Sequence, residues 1–275
     1  MSTTTLHRST AASPTQPTAE RVSLGRVMNS EWIKLRTLRS SWYVLGGAMA
    51  AMIAVGIVVA YATSTSNWAK LDLEDTAASA PLQGFHLVQL LVGVLGVLFV
   101  TGEYATGMIR STFSAVPRRL PVLTAKSAVF GAVSLVAMTV TSFATFFAAQ
   151  VILANDHHGS SLSDPGALRA VAGMGLFMAL VGLMGGAFGW IVRSTAGAIS
   201  GLVGVLLILP VIIGLFPGSF GTTVGKYLPS NAGEAFVASF HNPDLLAPWA
   251  GLAVFAAWVA AALAAAVVVI RRRDT

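Results

Sequence analysis

Polar side chains that could contact a solute are few, and they lie inside apolar sequence. His86 and Gln89 stand three residues apart, which places both on one face of a helix. Thr141, Thr145 and Gln150 lie within one long apolar stretch. Because polar groups at membrane depth usually face a bundle interior or a pathway, these five residues are our candidate substrate pathway. The alternative is a structural role, since a hydroxyl can bond its own helix backbone and water can solvate groups near an interface.

Motifs for covalent or metal chemistry are weak in this chain. The segment GTTVGKY at 221–227 is one residue short of a phosphate loop, and Tyr227 stands where Ser or Thr is required. Asp156, His157 and His158 could ligate a metal, but no further ligands accompany them. Cysteine, G-x-S-x-G and H-E-x-x-H are all absent from the sequence. We therefore predict that the chain is not an enzyme and binds no metal or cofactor itself.

The composition is that of a membrane protein. The 275 residues are 55% hydrophobic and 10% charged, whereas soluble domains carry about 25% charged residues. So few charges cannot cover a surface that faces water. Six apolar stretches approach the ~20 residues that a spanning helix needs. They lie at about 42–62, 86–102, 127–153, 170–192, 196–216 and 249–270, the second being the shortest. These stretches predict an all-α integral membrane protein with six transmembrane helices.

The basic residues predict the orientation. If the N-terminus is cytoplasmic, only Lys70, Arg169 and Lys226 of the 17 lysines and arginines fall outside. Both termini are then cytoplasmic, and the chain is a multi-pass protein of the cell (plasma or inner) membrane. Residues 1–21, rich in Ser, Thr and Pro, predict a disordered cytoplasmic tail before a membrane domain at 22–275. The alternative is a signal peptide cleaved after Ala62, but the apolar run is about twice the usual length.

Residues 22–41 predict an amphipathic helix at the inner membrane surface. Apolar residues form one stripe at helical spacing, and the basic residues Arg26, Lys34 and Arg36 lie off it. The stripe consists of Leu24, Val27, Met28, Leu35 and Leu38. Glu31 falls inside the stripe. It is either a locally paired or snorkelling carboxylate, or a tie to a basic cytoplasmic loop or a partner.

The cytoplasmic loop 103–126 contains a second amphipathic segment. Its apolar half is formed by Tyr104, Met108, Ile109, Phe113 and Val116. Pro117 ends the helix, and a helix this short cannot bury its apolar half alone. We therefore expect it to lie on the membrane surface or in a groove of another protein. The alternative is a solvated positive-inside loop. Four basic residues without a groove-reading motif argue against nucleic acid as a partner.

The later spans carry small residues and prolines. Glycines at 182, 185, 186 and 189, and small residues at 197, 200, 201 and 204, predict close helix packing within the subunit or between copies. Pro210 predicts a kink in the fifth span. The outer segment 217–248 predicts two small helices that dip back toward the membrane as a re-entrant region.

Two segments, EWIKLRTLRSSWY at 31–43 and EYATGMIRSTFSAVPRR at 103–119, resemble bacterial ABC-2 type transporter permeases. The resemblance covers about 22–275. It implies an export permease that pairs with a second permease copy, or a related one, and with cytoplasmic P-loop ATPases that bind the ATP. It assigns ATPase coupling to Glu103, Tyr104, Gly107, Met108, Ile109, Arg110, Ser111 and Phe113. It places the interfacial helix, with Glu31, Trp32, Lys34 and Arg36, along the inner face of the lipid bilayer.

Two other classes of function remain open from the residues alone. An ion-gradient-driven transporter needs carboxylates at membrane depth, and none of the 11 acidic residues falls in the middle of a span. A non-transporting membrane sensor or scaffold is compatible with the polar third span and the small-residue seams.

Overall fold

Six helices of the computed structural model are long and apolar enough to cross a membrane. The structure describes residues 23–65, 82, 84–154, 159–217, 219–239 and 242–272, and within these ranges it contains helices but no strand. The six spans are Arg39–Ser64, Phe85–Ala105, Arg119–Leu153, Ala167–Val192, Thr195–Gly214 and Pro248–Arg272. The prediction of six helices that are long and apolar enough to span a membrane is confirmed, while the orientation and the position of the termini remain predictions.

Short helices precede the first span and lie between some of the later spans along the chain. The helices are α1 (Leu24–Thr37), α2 (Arg39–Thr65), α3 (Phe85–Ala105), α4 (Met108–Ala115), α5 (Arg119–Leu153) and α6 (Ala167–Val192). They continue with α7 (Thr195–Val203), a π-helical segment (Gly204–Ile208), α8 (Leu209–Gly214), α9 (Ser219–Gly225), α10 (Pro229–Val237) and α11 (Pro248–Arg272). The interfacial helix predicted at 22–41 is therefore α1 plus the first residues of α2.

Two spans extend further than their apolar sequence predicted. The second span reaches Ala105 rather than 102, so it includes Glu103. The third begins at Arg119 rather than 127, so it includes Lys126. Pro121 is tolerated because it lies in the first turn, where backbone N–H groups have no helical partner. With 21 residues the second span is not the shortest, because the fifth has 20.

Helix α6 lies at the centre of the bundle, packed against α3, α5, α10 and α11. Its glycines allow the backbones of α6 and α3 to touch. A Cβ built at Gly185 would overlap the carbonyl of Gly93, and one at Gly96 would overlap the carbonyl of Gly182. The glycines of α6 therefore allow close packing within the subunit, which is one of the two alternatives that the sequence left open for them.

The fifth span changes its hydrogen bonding just before Pro210. The N–H of Leu209 donates to the carbonyl of Gly204, five residues earlier, at the end of the π-helical segment. Pro210 has no N–H for the preceding turn, and such wide turns are a common response to proline within a helix. A π-helical segment therefore precedes Pro210, and the predicted kink of the span at this proline stays a prediction.

The segment before the last span contains two short helices, as predicted. Helix α10 is largely buried against α6 and α11, and the ring of Phe236 lies against Gly173. The indole N–H of Trp258 in α11 donates to the carbonyl of Tyr227, 2.9 Å away. These contacts attach the segment to the bundle. Its depth in a bilayer stays a prediction.

The contact between α3 and α6 gives a direct test. We expect Gly185→Ala to lower the thermal unfolding midpoint in detergent, because the added methyl separates two backbones. Overpacking of this kind costs about 1–3 kcal/mol. Gly47→Ala in α2 is the matched control, since a Cβ there meets nothing within 4 Å. Equal midpoints for the two variants would contradict the close approach of α3 and α6.

Candidate functional site

Four charged side chains from three helices meet at one end of the bundle. The Nζ of Lys126 lies 2.6 Å from Glu31 Oε2 and 2.7 Å from Glu103 Oε1. The Nζ of Lys34 lies 2.7 Å from Glu31 Oε1 and 2.9 Å from Glu103 Oε1. Each lysine thus contacts both carboxylates. We call this arrangement of Glu31, Lys34, Glu103 and Lys126 the charge ring.

The charge ring is buried. The exposed fraction is 0% for Glu31, 1% for Lys126 and 4% for Glu103, whereas Lys34 is partly exposed. Removing a charge from water costs several kcal/mol, so buried charges persist when opposite charges and hydrogen bonds satisfy them. Lys126 also lies 4.3 Å from the ring centroid of Phe99 and 3.4 Å from its carbonyl oxygen. With two acids and two bases, the formal charges cancel.

The sequence places these groups by ordinary helix geometry. Glu31 and Lys34 are one turn apart on α1, so they face the same side. Glu103 lies in the last turn of α3. Lys126 shares one face of α5 with Val122, Val129 and Phe130, all buried. The ring therefore forms where the ends of α3 and α5 meet the middle of α1.

A fourth helix joins the charge ring through a hydroxyl. The Oγ1 of Thr112 in α4 lies 3.3 Å from Lys34 Nζ and donates to Glu103 Oε2 over 3.4 Å. Helix α4 is thus connected to α1 and α3 by the same group of charges.

The pKa of Lys34 is raised, which keeps this side chain of the charge ring positively charged. Burial by itself lowers the pKa of this ammonium, but hydrogen bonds and charges from Glu31 and Glu103 outweigh burial and raise it above its ordinary value. A raised lysine pKa contributes stability below the unfolded value, and the contribution is lost as the pH rises through the folded value. Lys34 therefore remains an ammonium throughout the physiological pH range.

The apolar half of α4 is covered largely by the chain itself. Ile109 is buried in a cluster that also contains Val27, Val122, Trp190 and Ile270. Tyr104, Phe113 and Val116 pack against the same cluster, whereas Met108 stays exposed. The prediction that this half must lie on a membrane or in a partner's groove is therefore wrong for Ile109, whereas the other four residues keep exposed surface. The ends of α1, α5 and α11 provide the groove.

Gly107 separates α3 from α4. Its φ of 72° lies in the left-handed region, which costs other residues roughly 1 kcal/mol or more. The side chain of Arg193, at a φ of 58° in the turn between α6 and α7, lies 5.5 Å from the ring centroid of Tyr104. Tyr104 also packs edge-on against Trp190 at 5.9 Å. The turn after α6 therefore supports the last turn of α3, just before Gly107.

Sequence reasoning did not assign Lys126, Thr112 or Arg193 to this site. From the sequence, Lys126 is accounted for by the excess of basic residues that cytoplasmic loops carry. The informative pattern was its spacing from Val122, Val129 and Phe130, which places a lysine on the apolar face of a helix. For Glu31, both alternatives hold, because it pairs locally with Lys34 and is tied to Lys126 at the end of the basic loop.

The remaining predicted residues of α1 are exposed. Trp32 and Arg36 face away from the protein, and the indole N–H of Trp42 donates to the Arg36 carbonyl. In the predicted apolar stripe only Val27 and Leu35 are buried, whereas Leu24, Met28 and Leu38 are exposed. Arg110 and Ser111 on α4 are exposed as well.

The five candidate pathway residues lie on α3 and α5 and differ in their local contacts. Gln89 is buried, while His86 is exposed and its ring lies 3.9 Å from that of Phe85. Thr141 and Thr145 donate to carbonyls one turn earlier in their own helix, at 2.8 and 2.9 Å. Gln150 accepts from the backbone N–H of Ser160. These bonds favour structural roles for the two threonines and for Gln150.

The structure also describes part of the two weak motifs, GTTVGKY and the Asp-His-His segment. The first five residues of GTTVGKY belong to helix α9, and Lys226 donates to the Pro243 carbonyl. Asp156, His157 and His158 lie outside the described residues. Within the described ranges, no group of three or more metal-ligating side chains occurs.

Comparisons with known proteins do not identify a family. No protein-family model matches the chain, and no curated protein matches it. A function is therefore argued from the residues, the contacts and the motif resemblance.

The charge ring yields a stability prediction. Lys126→Met leaves two buried carboxylates with a single lysine, so we expect a loss on the order of 3–5 kcal/mol in unfolding free energy. The exposed Arg36→Met is the control and should change stability by less than ~0.5 kcal/mol. The double variant Glu31→Gln, Lys126→Met should lose less than the sum of its single variants, measured by thermal unfolding in detergent. Additive losses would argue against a coupled ring.

Two acids of the predicted outer segments should respond oppositely to pH. Burial raises the pKa of Glu234, so its charge opposes folding at neutral pH, and Glu234→Gln should raise the unfolding midpoint there but not in acid. Hydrogen bonds from Ser160 and Ser161 lower the pKa of Asp164, so Asp164→Asn should lower the midpoint at neutral pH, with the effect vanishing as pH falls. Unfolding scans between pH 3 and pH 8 check both signs. The same sign for both variants at neutral pH would refute these assignments.

Proposed function

We propose that the chain is the permease subunit of an ATP-binding cassette exporter, paired with a separate cytoplasmic P-loop ATPase and with a second permease. The observation that carries the proposal is the connection of α4 to two spans and the interfacial helix through the charge ring. A subunit without its own energy source needs an element that receives motion from a partner and passes it to the spans.

Helix α4 has the two faces that this role requires. The inner face holds Ile109 in the apolar cluster and Thr112 beside Lys34 and Glu103. The outer face leaves Met108, Arg110 and Ser111 exposed. The outer face is available to an ATPase, and the inner face transmits a displacement. The partner is thus proposed to contact the outer face, and the apolar half serves mainly to hold α4 in place.

The charge ring would make this transmission stiff. Opposite charges at 2.6–2.9 Å in a buried site resist separation, because a displaced carboxylate or ammonium would stay buried without its partner. A movement of α4 would therefore carry α1, α3 and α5 together. Export as the direction, and the second permease, are taken from the family resemblance.

The fifth span is the surface that we assign to the second permease. Leu207, Ile208, Val211 and Ile212 are exposed around the π-helical segment. Gly204 has open space around its Cα, unlike the α6 glycines. This face is apolar and little covered by its own subunit, as a helix contacting lipid or another copy is expected to be.

Co-purification with the ATPase tests the proposed outer face of α4. Met108→Asp places a charge on the exposed apolar residue of this face, at the first position of α4, so we expect the ATPase to be lost from the purified complex. Met28→Asp is the matched control, because the two methionines are 43% and 37% exposed and Met28 lies on α1. Substituting Ile109 would not separate binding from folding, since Ile109 is buried.

The readouts are ATPase content by gel filtration and ATP hydrolysis in liposomes with candidate cargo. Retention of the ATPase by Met108→Asp at the level of Met28→Asp would remove the outer face of α4 as the interface. Transport that follows an imposed ion gradient without ATP would refute the exporter assignment.

A further inference from the structure

A basic cleft opens between the first turn of α5 and the last turn of α11. Its volume is about 520 Å³. Its polar wall consists of Arg118, Arg119 and Arg271, and its apolar wall includes Leu120, Pro121 and Ile270. Two helix ends and two prolines therefore shape a cleft with three guanidinium groups at its edge.

The charge of this cleft is not balanced by nearby acids of the described residues. None of its lining residues is acidic. The two described acids at this end of the bundle, Glu31 and Glu103, are both held by Lys34 and Lys126. The exposed guanidinium groups of Arg118 and Arg271 thus face an open space of positive potential. Guanidinium groups suit phosphate oxygens because they offer paired N–H donors.

The position of the cleft favours a lipid over a soluble anion. Helices α5 and α11 are both candidate membrane spans, and the cleft lies where one begins and the other ends. On the predicted cytoplasmic side, such span ends lie at the level of the phospholipid headgroups. The apolar wall of Leu120 and Ile270 suits the boundary between headgroup and acyl chain, where an acidic peptide would gain nothing.

We propose that this cleft binds the phosphate group of an anionic phospholipid from the inner leaflet. Arg118 and Arg271 contact the phosphate. Arg119 holds the cleft together, because its Nη1 donates to the carbonyl of Ile270 over 3.2 Å. The same guanidinium lies 5.4 Å from the ring centroid of Phe113 in α4. The bound headgroup therefore sits one side chain away from α4.

A lipid titration tests this site independently of any ATPase. The full chain in detergent micelles is titrated against fluorescently labelled phosphatidylglycerol, with anisotropy as the readout. We expect Arg118→Gln with Arg271→Gln to weaken binding by about fivefold per arginine, roughly 25-fold together. The control Arg36→Gln with Arg39→Gln removes the same charge from exposed positions on α1 and at the start of α2, and should bind almost as the parent does.

The control variants and competing ligands distinguish a bound lipid from other occupants of the cleft. Equal weakening in both double variants would overturn the proposal, because general attraction to the basic face would then account for binding. Displacement by millimolar glycerol phosphate as effective as by unlabelled phosphatidylglycerol would indicate a soluble anion and overturn the lipid assignment. The lipid assignment would also be overturned if a polyglutamate peptide displaced the labelled lipid while Arg118→Gln with Arg271→Gln left the lipid affinity unchanged. Labelled phosphatidylcholine should bind parent and variants alike.

Folding is controlled by two further variants. Arg118→Lys with Arg271→Lys keeps both charges and should retain most of the affinity. Arg271→Gln alone changes one exposed residue in the last turn of α11 and should show the fivefold loss with an unchanged unfolding midpoint. Parent-like affinity of Arg271→Gln would overturn the role of this arginine and the proposed site with it.

Discussion

The ammonium group of Lys126 is buried among helices. This single constraint determines how the helices are arranged at the end of the bundle that is predicted to be cytoplasmic. An unpaired charge there would cost several kcal/mol, so two carboxylates must reach it. Glu103 comes from the last turn of α3 and Glu31 from the middle of α1. For both to be within 2.7 Å, α1 must lie across the junction of α3 and α5, which leaves little freedom in its placement.

The placement of α1 determines that of α4. Once Val27 of α1 is in position, it and Val122 of α5 line a groove in which Ile109 is buried. Thr112 then reaches the partly exposed Lys34. Apolar burial and charge pairing therefore act on the same short helix from two sides, and Gly107 supplies the backbone turn that lets α4 fold back. Such a helix is held firmly on its inner side while its outer side remains free, which is the arrangement that a coupling element requires.

The arginines and lysines of this end have different environments. Lys34 and Lys126 pair with Glu31 and Glu103, whereas Arg118, Arg271 and Arg36 are exposed. This division has a physical basis, since an ammonium is compact enough to fit between two carboxylates and a guanidinium is suited to planar anions such as phosphate. One basic face can therefore contain a buried structural group and the exposed arginines of the proposed lipid site without competition between them.

The amino-acid sequence by itself determined the all-helical class, the six helices long and apolar enough to span a membrane, and the two small helices before the last of them. These features depend on local composition: runs of apolar residues long enough to cross a bilayer, and prolines and glycines that interrupt them. Sequence also located the amphipathic helix α1, because helical periodicity is a local property. The second amphipathic segment, predicted from Tyr104 to Val116, is divided by the left-handed Gly107, so that Tyr104 belongs to α3 and α4 begins at Met108. It correctly marked Glu31 as a residue in need of a partner, although it left the partner open between a local and a distant one.

Only the tertiary structure decided what these faces contact. The sequence could not show that Ile109 of α4 is covered by α1, α5 and α11, because α1 and α11 are far from α4 along the chain and the fold of α4 onto α5 depends on them. For the same reason it placed Lys126 in a solvated loop, although the residue is paired with carboxylates 23 and 95 positions away at distances of 2.7 and 2.6 Å. Periodicity determines that a face exists, but burial and charge pairing depend on which distant helices come together, and that is a property of the whole bundle.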